Sequence, residues 1–235
     1  MRVLAIDTAL AACSAAVLET ADGGRQSNGR SGIMASESLP MIRGHAEALL
    51  PLIARVMKTA GMAFSDLDRV VVTTGPGSFT GLRVGLSAAR GFALAGKIPA
   101  VGVSTLSAYA APYLGIDDKS PVIAAIDARH GHVYLQVFDP GGRTRIAPRL
   151  APLSDAVRAA SAAPAHIVGS AAQTVAGALA GTAPNPVTVD GRDAPDIGWV
   201  AQIGAVGPEA SAPPKPLYLR AADAQPQDAS RLARR

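Results

Sequence analysis

Cysteine is nearly missing: Cys13 stands alone among 235 residues. That excludes an intramolecular disulfide and a cysteine-based zinc cluster, and it fits a reducing compartment. Long hydrophobic runs are missing too. The N-terminal VLAIDTALAA imitates a short signal segment, but Asp7 interrupts it, and no later stretch approaches the roughly 20 apolar residues of a spanning helix. The expectation is a cytosolic protein with no membrane contact. Charged residues are sparse at 17%, and hydrophobic residues reach 49%, ample for a folded core. The net charge of +4 and pI near 9.6 permit contact with a polyanion without requiring it. Part of that excess lies in Arg231, Arg234 and Arg235.

Catalytic signatures are equally scarce. The four histidines, at 45, 130, 132 and 166, form neither HExxH nor a helical i, i+4 pair. His130 and His132 have the spacing to share one strand face, without an evident third ligand. No serine lies in GxSxG.

What is present is an α/β pattern. Val3–Ile6, the polar Asp7-Thr8 and the run Ser14–Leu18 read as strand, turn, strand, with a hairpin at Asp22-Gly23-Gly24. The polar stretch 25–38 leaves a third strand's register open. Between Glu47 and Ala60 the apolar residues fall within an arc of about 160°, marking an amphipathic helix. Pro51 predicts a kink or a late start in it, and Gly61 a stop. Arg69–Thr74 reads as a buried strand feeding a glycine loop, and Leu82–Ala95 as a helix. A short strand at Val101–Val103 and a helix from Thr105, curtailed by Pro112, follow. The order then restarts: AIDTA at 5–9 is echoed by AIDAR at 125–129, between strands Pro121–Ile126 and His132–Phe138. This repetition predicts two duplicated α/β lobes. Later helices are expected at Asp155–Ala162, Ala171–Leu179 and Asp196–Ala205, with a proline-rich segment and the extended piece 217–220 beyond them.

Two features invite chemistry. The loop Gly75-Pro76-Gly77-Ser78-Phe79-Thr80-Gly81 precedes a helix N-terminus and has the glycines for close approach to a phosphate. It matches no standard template, since Leu82-Arg83 replace the Lys-Ser/Thr of a P-loop and Thr80 replaces a dinucleotide-motif glycine. A tight structural turn is the other reading. Asp7 with Thr8 sits where a carboxylate suits a hard cation, or simply caps its own turn. The helix 82–95 carries apolar or small residues over roughly 200°. It is either an interior helix or one that packs its own sheet and also a partner.

The segments LAIDTALAACSAAVLE (4–19), HAEALLPLI (45–53), TTGPGSFTGLRVGLSAARGFAL (73–94), GVSTLSAYA (102–110), AIDARHGHVYLQVF (125–138) and PLYLR (216–220) resemble the TsaB (YeaZ) family of the actin-like ATPase superfamily. The resemblance covers most of the first 140 residues and is loose from 140 to 215. It implies two actin-like, ribonuclease H-like lobes with mixed five-stranded sheets flanked by helices. The expected extents are residues 1–105, residues 106–220 with the last helix free to return to the first lobe, and a flexible basic tail at 221–235. It implies a non-catalytic subunit that scaffolds and activates a TsaD-type transferase. That enzyme forms N6-threonylcarbamoyladenosine at position 37 of tRNAs reading codons that begin with A.

ATP and metal are then expected in the partner, and none is assigned to this chain. Asp7, Thr8, Gly75, Gly77 and Ser78 are cofactor-binding candidates or vestiges of such a site. The partner's metal histidines align with TLSAYAAP at 105–112, which contains none. The resemblance places partner contacts on the first two helices, at His45, Leu49, Leu50, Ile53, Leu82, Gly85, Ala89 and Phe92. It further implies a TsaE-type ATPase joining the complex, a homodimer when alone, and tRNA contact through the complex. The competing expectations are an enzyme acting alone, an ATP-dependent phosphotransferase or M22-type metallopeptidase, and a free-standing tRNA-binding module.

Overall fold

The computed structural model describes residues 1–20, 32–117, 119–179, 181, 184–208 and 212–220. The expected hairpin at 22–24, the polar stretch from 25 to 31 and the basic tail at 221–235 lie outside the described residues.

Alternation of side chains along the strands explains the layering. The first sheet has the order β3-β2-β1-β4-β5, built from β1 (Arg2–Asp7), β2 (Ala12–Glu19), β3 (Gly32–Pro40), β4 (Arg69–Gly75) and β5 (Ala100–Ser104). β2 runs antiparallel to β1 and β3, while β4 lies parallel to β1 and β5. Leu4, Ile6, Val70 and Val72 point to one face and pack with α1 (His45–Ala60) and α2 (Phe79–Gly96). Their neighbours Val3, Ala5 and Val71 point to the other face, against Val200 and Ala201 of α6 (Ile197–Val206) and Ala108 of α3 (Thr105–Ala110).

The second sheet repeats the plan. Its order is β10-β9-β6-β7-β8, from β6 (Val122–Asp127), β7 (His132–Phe138), β8 (Thr144–Pro152), β9 (His166–Val168) and β10 (Thr188–Asp190). Ile123, Ala125 and Leu135 face α4 (Leu153–Ala160) and α5 (Ala172–Leu179), while Val122, Ala124 and Ile126 face Leu106 and Tyr109 of α3. β1 through β5 thus correspond in role to β6 through β10, and α3 touches both sheets. The fold is α/β with two five-stranded mixed sheets flanked by helices.

Local signals explain the boundaries. Gly61, at φ 67°, closes α1 in the left-handed conformation that suits glycine, and the Asp196 carboxylate caps α6 by accepting from Gly198 N–H. The late start expected from Pro51 does not occur: α1 begins at His45 and runs through it. Pro51 and Glu47 are both exposed, so the Glu47 carbonyl that loses its helical donor faces solvent. The third strand takes a definite register, Ser14 opposite Ser38, with an irregularity between Val17 and Leu18. Among the described residues no helix is long and apolar enough to cross a membrane.

Candidate functional site

The C-terminal ends of β1 and β4 meet the glycine loop at one end of the first sheet. Asp7, the last residue of β1, is wholly buried. Its Oδ1 accepts from Thr73 Oγ1 at 2.5 Å and from Ala9 N–H at 3.0 Å. Its Oδ2 has no hydrogen-bond partner among the described residues. Burial therefore pushes the carboxyl above its ordinary range, and the Thr73 and Ala9 hydrogen bonds only partly oppose that.

The glycine loop closes over this turn by direct contact. Ser78 N–H donates to the Ala9 carbonyl at 2.7 Å, and Thr8 Oγ1–H donates to the Gly81 carbonyl at 2.7 Å. A Cβ on Gly77 would lie 2.3 Å from the Ala9 oxygen, and one on Gly81 2.1 Å from the Thr8 oxygen. Next along the helix, a Cβ on Gly85 would lie 2.5 Å from Thr8 Oγ1. Gly75, at φ 105° before a cis bond to Pro76, is enclosed by Leu82 and the Leu217 carbonyl. The close approach these glycines permit is thus made to the chain's own backbone. Asp7, Thr8, Gly75, Gly77 and Ser78 are brought together as the sequence suggests, with the Cβ positions of Gly75, Gly77 and Gly81 closed off by Leu82 and Leu217, by Ala9 and by Thr8.

The second lobe holds the equivalent turn. Asp127 ends β6, and its Oδ1 accepts from Arg129 N–H at 2.8 Å, as Asp7 does from Ala9. Gly169 approaches the Ala125 carbonyl as Gly77 approaches Ala9. Asp127 is exposed where Asp7 is buried. The neighbouring histidines do not share a strand face: His130 lies in the turn at φ 51°, and His132 Nδ1–H donates to its carbonyl at 2.9 Å. The turn consumes the geometry that a ligand pair would need.

Burial redistributes the candidate contact residues of α1 and α2. His45, Leu49, Ile53, Leu82, Gly85 and Ala89 are buried within this chain, and His45 Nε2 bonds the Leu10 carbonyl. All six pack the sheet or its turns; they are core residues before any partner arrives. Leu50 is 58% exposed, and Phe92 is half-buried, stacked on the exposed Phe64 at 5.1 Å. An interior α2 is also set aside. One stripe (Gly81, Leu82, Gly85, Leu86, Ala89) is buried, whereas Thr80, Ser87, Gly91 and Leu94 are exposed, with Val84 and Ala88 between them.

Two features lay beyond sequence reasoning. Thr73 ends a run of valines and reads as one more strand residue. The segment 212–220, irregular and proline-rich, crosses the edge of the site: Leu217 N–H donates to the Thr74 carbonyl, Arg90 to the Pro214 carbonyl, and Arg220 to the Ala128 carbonyl. No periodicity announces such a strap.

Comparison with known proteins gives consistent relatives. The family model described as "TsaD: tRNA N6-adenosine threonylcarbamoyltransferase" matches residues 33–190. The tRNA threonylcarbamoyladenosine biosynthesis protein TsaB of Escherichia coli (strain K12) is 40% identical over 134 residues, 57% of this chain and 53% of that protein. A tRNA N6-adenosine threonylcarbamoyltransferase of Pelobacter propionicus is 35% identical over 181 residues, 72% of this chain and 51% of that one. The match thus spans about half the length of each of these relatives. Among solved structures, YeaZ from Pseudomonas aeruginosa superposes with a TM-score of 0.72 at 29% identity, covering 93% of this chain and 99% of that one.

Proposed function

Because the chain belongs to the TsaB (YeaZ) family, we propose that it is a non-catalytic subunit that scaffolds and activates a TsaD-type transferase in the synthesis of N6-threonylcarbamoyladenosine in tRNA. The observation that carries the reading is the pairing of a closely packed glycine loop with an open helix. The glycines of the loop serve close packing on the backbone of Thr8 and Ala9, which a Cβ on Gly77 or Gly81 would strike, and Asp7 is wholly buried beside them. Asp7, Thr8, Gly75, Gly77 and Ser78 then serve packing, as vestiges of an actin-like nucleotide site. Beside them α2 leaves Ser87, Gly91 and Leu94 exposed, with Val84 and Ala88 half-buried between them, small residues for the most part, which let another helix come close. Leu50, Phe64 and Phe92 flank that face with exposed or half-exposed apolar surface.

The transferase itself is the partner of choice, since the chain has homology to it and related lobes pair through related helices. In this reading a TsaE-type ATPase joins the assembly, and the chain pairs with itself through the same face when no partner is present. ATP and metal act in the partner. The test is reconstitution. The TsaD-type subunit, supplied with threonylcarbamoyl-adenylate and unmodified tRNA, is assayed for modified adenosine with and without this chain. Modification that depends on the chain, from a chain that alone hydrolyses no ATP, is the expected result. Full activity of the partner alone, or ATP turnover by this chain that Asp7→Ala abolishes, would sink the proposal.

A further inference from the structure

Exposed aromatic rings normally find cover, yet Phe79 and Tyr218 remain 42% and 44% exposed while touching each other, with centroids 5.1 Å apart. Arg83 completes the group. Its guanidinium carbon lies 3.8 Å from the Phe79 ring centroid and its Nε–H donates to the Tyr218 hydroxyl at 3.3 Å. The strap holds Tyr218 there through the Leu217 N–H bond to the Thr74 carbonyl, 2.8 Å. Two residues on, Arg220 donates to the Ala128 carbonyl at 2.9 Å and so draws the β6–β7 turn to the end of the strap. That turn presents Arg129 and His130, exposed and both at positive φ, 63° and 51°. Consecutive non-glycine residues in this region are a strained arrangement of the kind that clusters at functional surfaces.

The electrostatics of this ledge are one-sided. No Asp or Glu occurs between Asp68 and Asp117, a stretch that contains Arg83, Arg90 and Lys97, and none occurs in 212–220, which contains the exposed Lys215 as well as Arg220. The exposed Asp127, in the same turn as Arg129, has its Oδ1 taken up by the Arg129 N–H.

Cations that follow a backbone beside sequence-tolerant aromatic faces are the physical recipe for holding unstacked RNA. We propose that the ledge formed by Phe79, Arg83, Lys215, Tyr218 and Arg129 is the surface through which this chain holds a single-stranded segment of tRNA. A base lies against the exposed side of the Tyr218 ring, which Phe79 and Arg83 back, and phosphates meet the three cations. Duplex RNA, with its bases stacked away, gains only the phosphate contacts. The inference rests on the tRNA-linked reading above for the identity of the nucleic acid, and it adds a direct contact by this chain.

The experiment is fluorescence anisotropy of the full chain with a labelled unmodified tRNA transcript and with a blunt RNA duplex, over a range of salt. Arg83→Glu combined with Arg129→Glu is expected to weaken tRNA binding at least tenfold and to lower the log–log salt slope by about 1.4, near 0.7 for each single-strand phosphate no longer neutralised. Tyr218→Ala is expected to weaken tRNA binding about tenfold and leave duplex binding unchanged. Tyr218→Phe, which keeps the ring and drops only the bond to Arg83, is expected to bind as the unsubstituted chain does. Arg158→Glu, on the exposed side of α4, serves as the charge control. Undiminished binding by the double variant, an equal loss in the control, or a double variant that keeps tRNA and instead loses the TsaD-type subunit would each overturn the proposal. Reconstituted modification separates the two readings. A chain that stimulates the transferase but binds tRNA equally well without Arg83 and Arg129 removes the ledge alone. A chain that fails to stimulate removes the scaffold function.

Discussion

Arg69 and Gly204, 135 residues apart, are joined by a 2.9 Å hydrogen bond from the Arg69 guanidinium to the Gly204 carbonyl. The same Nη1 also donates to the carbonyls of Ala205 and Gly207, at 3.1 and 2.8 Å. A cation at the start of β4 thus caps the C-terminal end of α6, where helical carbonyls lack partners and the helix dipole is negative. On the adjoining turn Gly204 lies so close to the sheet that a Cβ would stand 2.2 Å from Val71 Cγ1. The last helix is thereby fixed against the first sheet, where it covers Val3 and Ala5.

Replacing Arg69 by Met leaves those carbonyls without their donor in a largely buried place. The expected loss is on the order of 3 kcal/mol, seen as a fall in Tm of roughly 6–12 °C in a chain of this size. Arg69→Lys should recover part of it, because one ammonium still reaches a carbonyl. Thermal denaturation followed by circular dichroism measures both, and a Met variant as stable as the parent would show that the cap contributes nothing.

Glycines of α2 and its loop should divide by what faces them. Gly77→Ala puts a methyl group 2.3 Å from a backbone oxygen that cannot swing aside, and should cost about 2 kcal/mol or more. Gly91→Ala meets nothing within 4 Å and lies exposed within the helix, so it should raise stability by about 1 kcal/mol through helix propensity alone. Urea denaturation of the two variants gives the comparison. Equal effects would mean that the glycine loop is not held against the Ala9 turn.

Much of this architecture is legible in the residues themselves. The valine runs, the glycine loop and the echo of AIDTA in AIDAR each lead to the element found, because backbone hydrogen bonding and side-chain alternation are local. The side of α2 that is buried was not legible. Gly85 and Ala89 suit a sheet turn pressed against the helix as well as they suit a partner helix, so composition alone leaves both readings open, and only the 2.5 Å between Thr8 Oγ1 and a Cβ at Gly85 decides between them. Phe79 and Tyr218 meet only because the strap crosses the sheet edge, a long-range contact without periodic signature. Arg69 looks like the polar start of a strand, and nothing near it in sequence indicates the helix end that it caps.

Asp7 gives the stability a pH dependence whose sign follows from its burial. Its folded value is raised, so the native state keeps a proton that the unfolded chain releases near 3.8. The stabilising contribution is complete below that value and is lost as pH rises from there through the folded one. Asp7→Asn keeps an oxygen to accept from Thr73 and Ala9 and has no proton to lose. The decline in Tm between pH 4 and pH 7 should therefore be smaller in the Asn variant, and an unchanged decline would assign the pH dependence to other groups.

The proposed partner face makes the most direct demand on α2. Gly91→Arg and Ser87→Arg both place a long cation on the exposed stripe, where the free chain has room for it. The isolated Ser87→Arg variant should melt within about 0.5 kcal/mol of the parent, as surface substitutions usually do, and Gly91→Arg should be more stable by up to about 1 kcal/mol through helix propensity. Their association with the TsaD-type subunit should weaken at least a hundredfold, because a helix packed at close range cannot admit a guanidinium without desolvating it. Leu50→Asp on α1 should act in the same direction and Leu94→Asp more weakly if the contact centres nearer Phe92. Isothermal titration of each variant into the purified partner measures the loss, and modification of tRNA should fall in parallel. A substitution at the buried Gly85 would act differently, since a Cβ there lies 2.5 Å from Thr8 Oγ1 and would disturb the fold of α2 rather than its outer face. Unaltered affinity in both arginine variants would move the interface off α2 altogether.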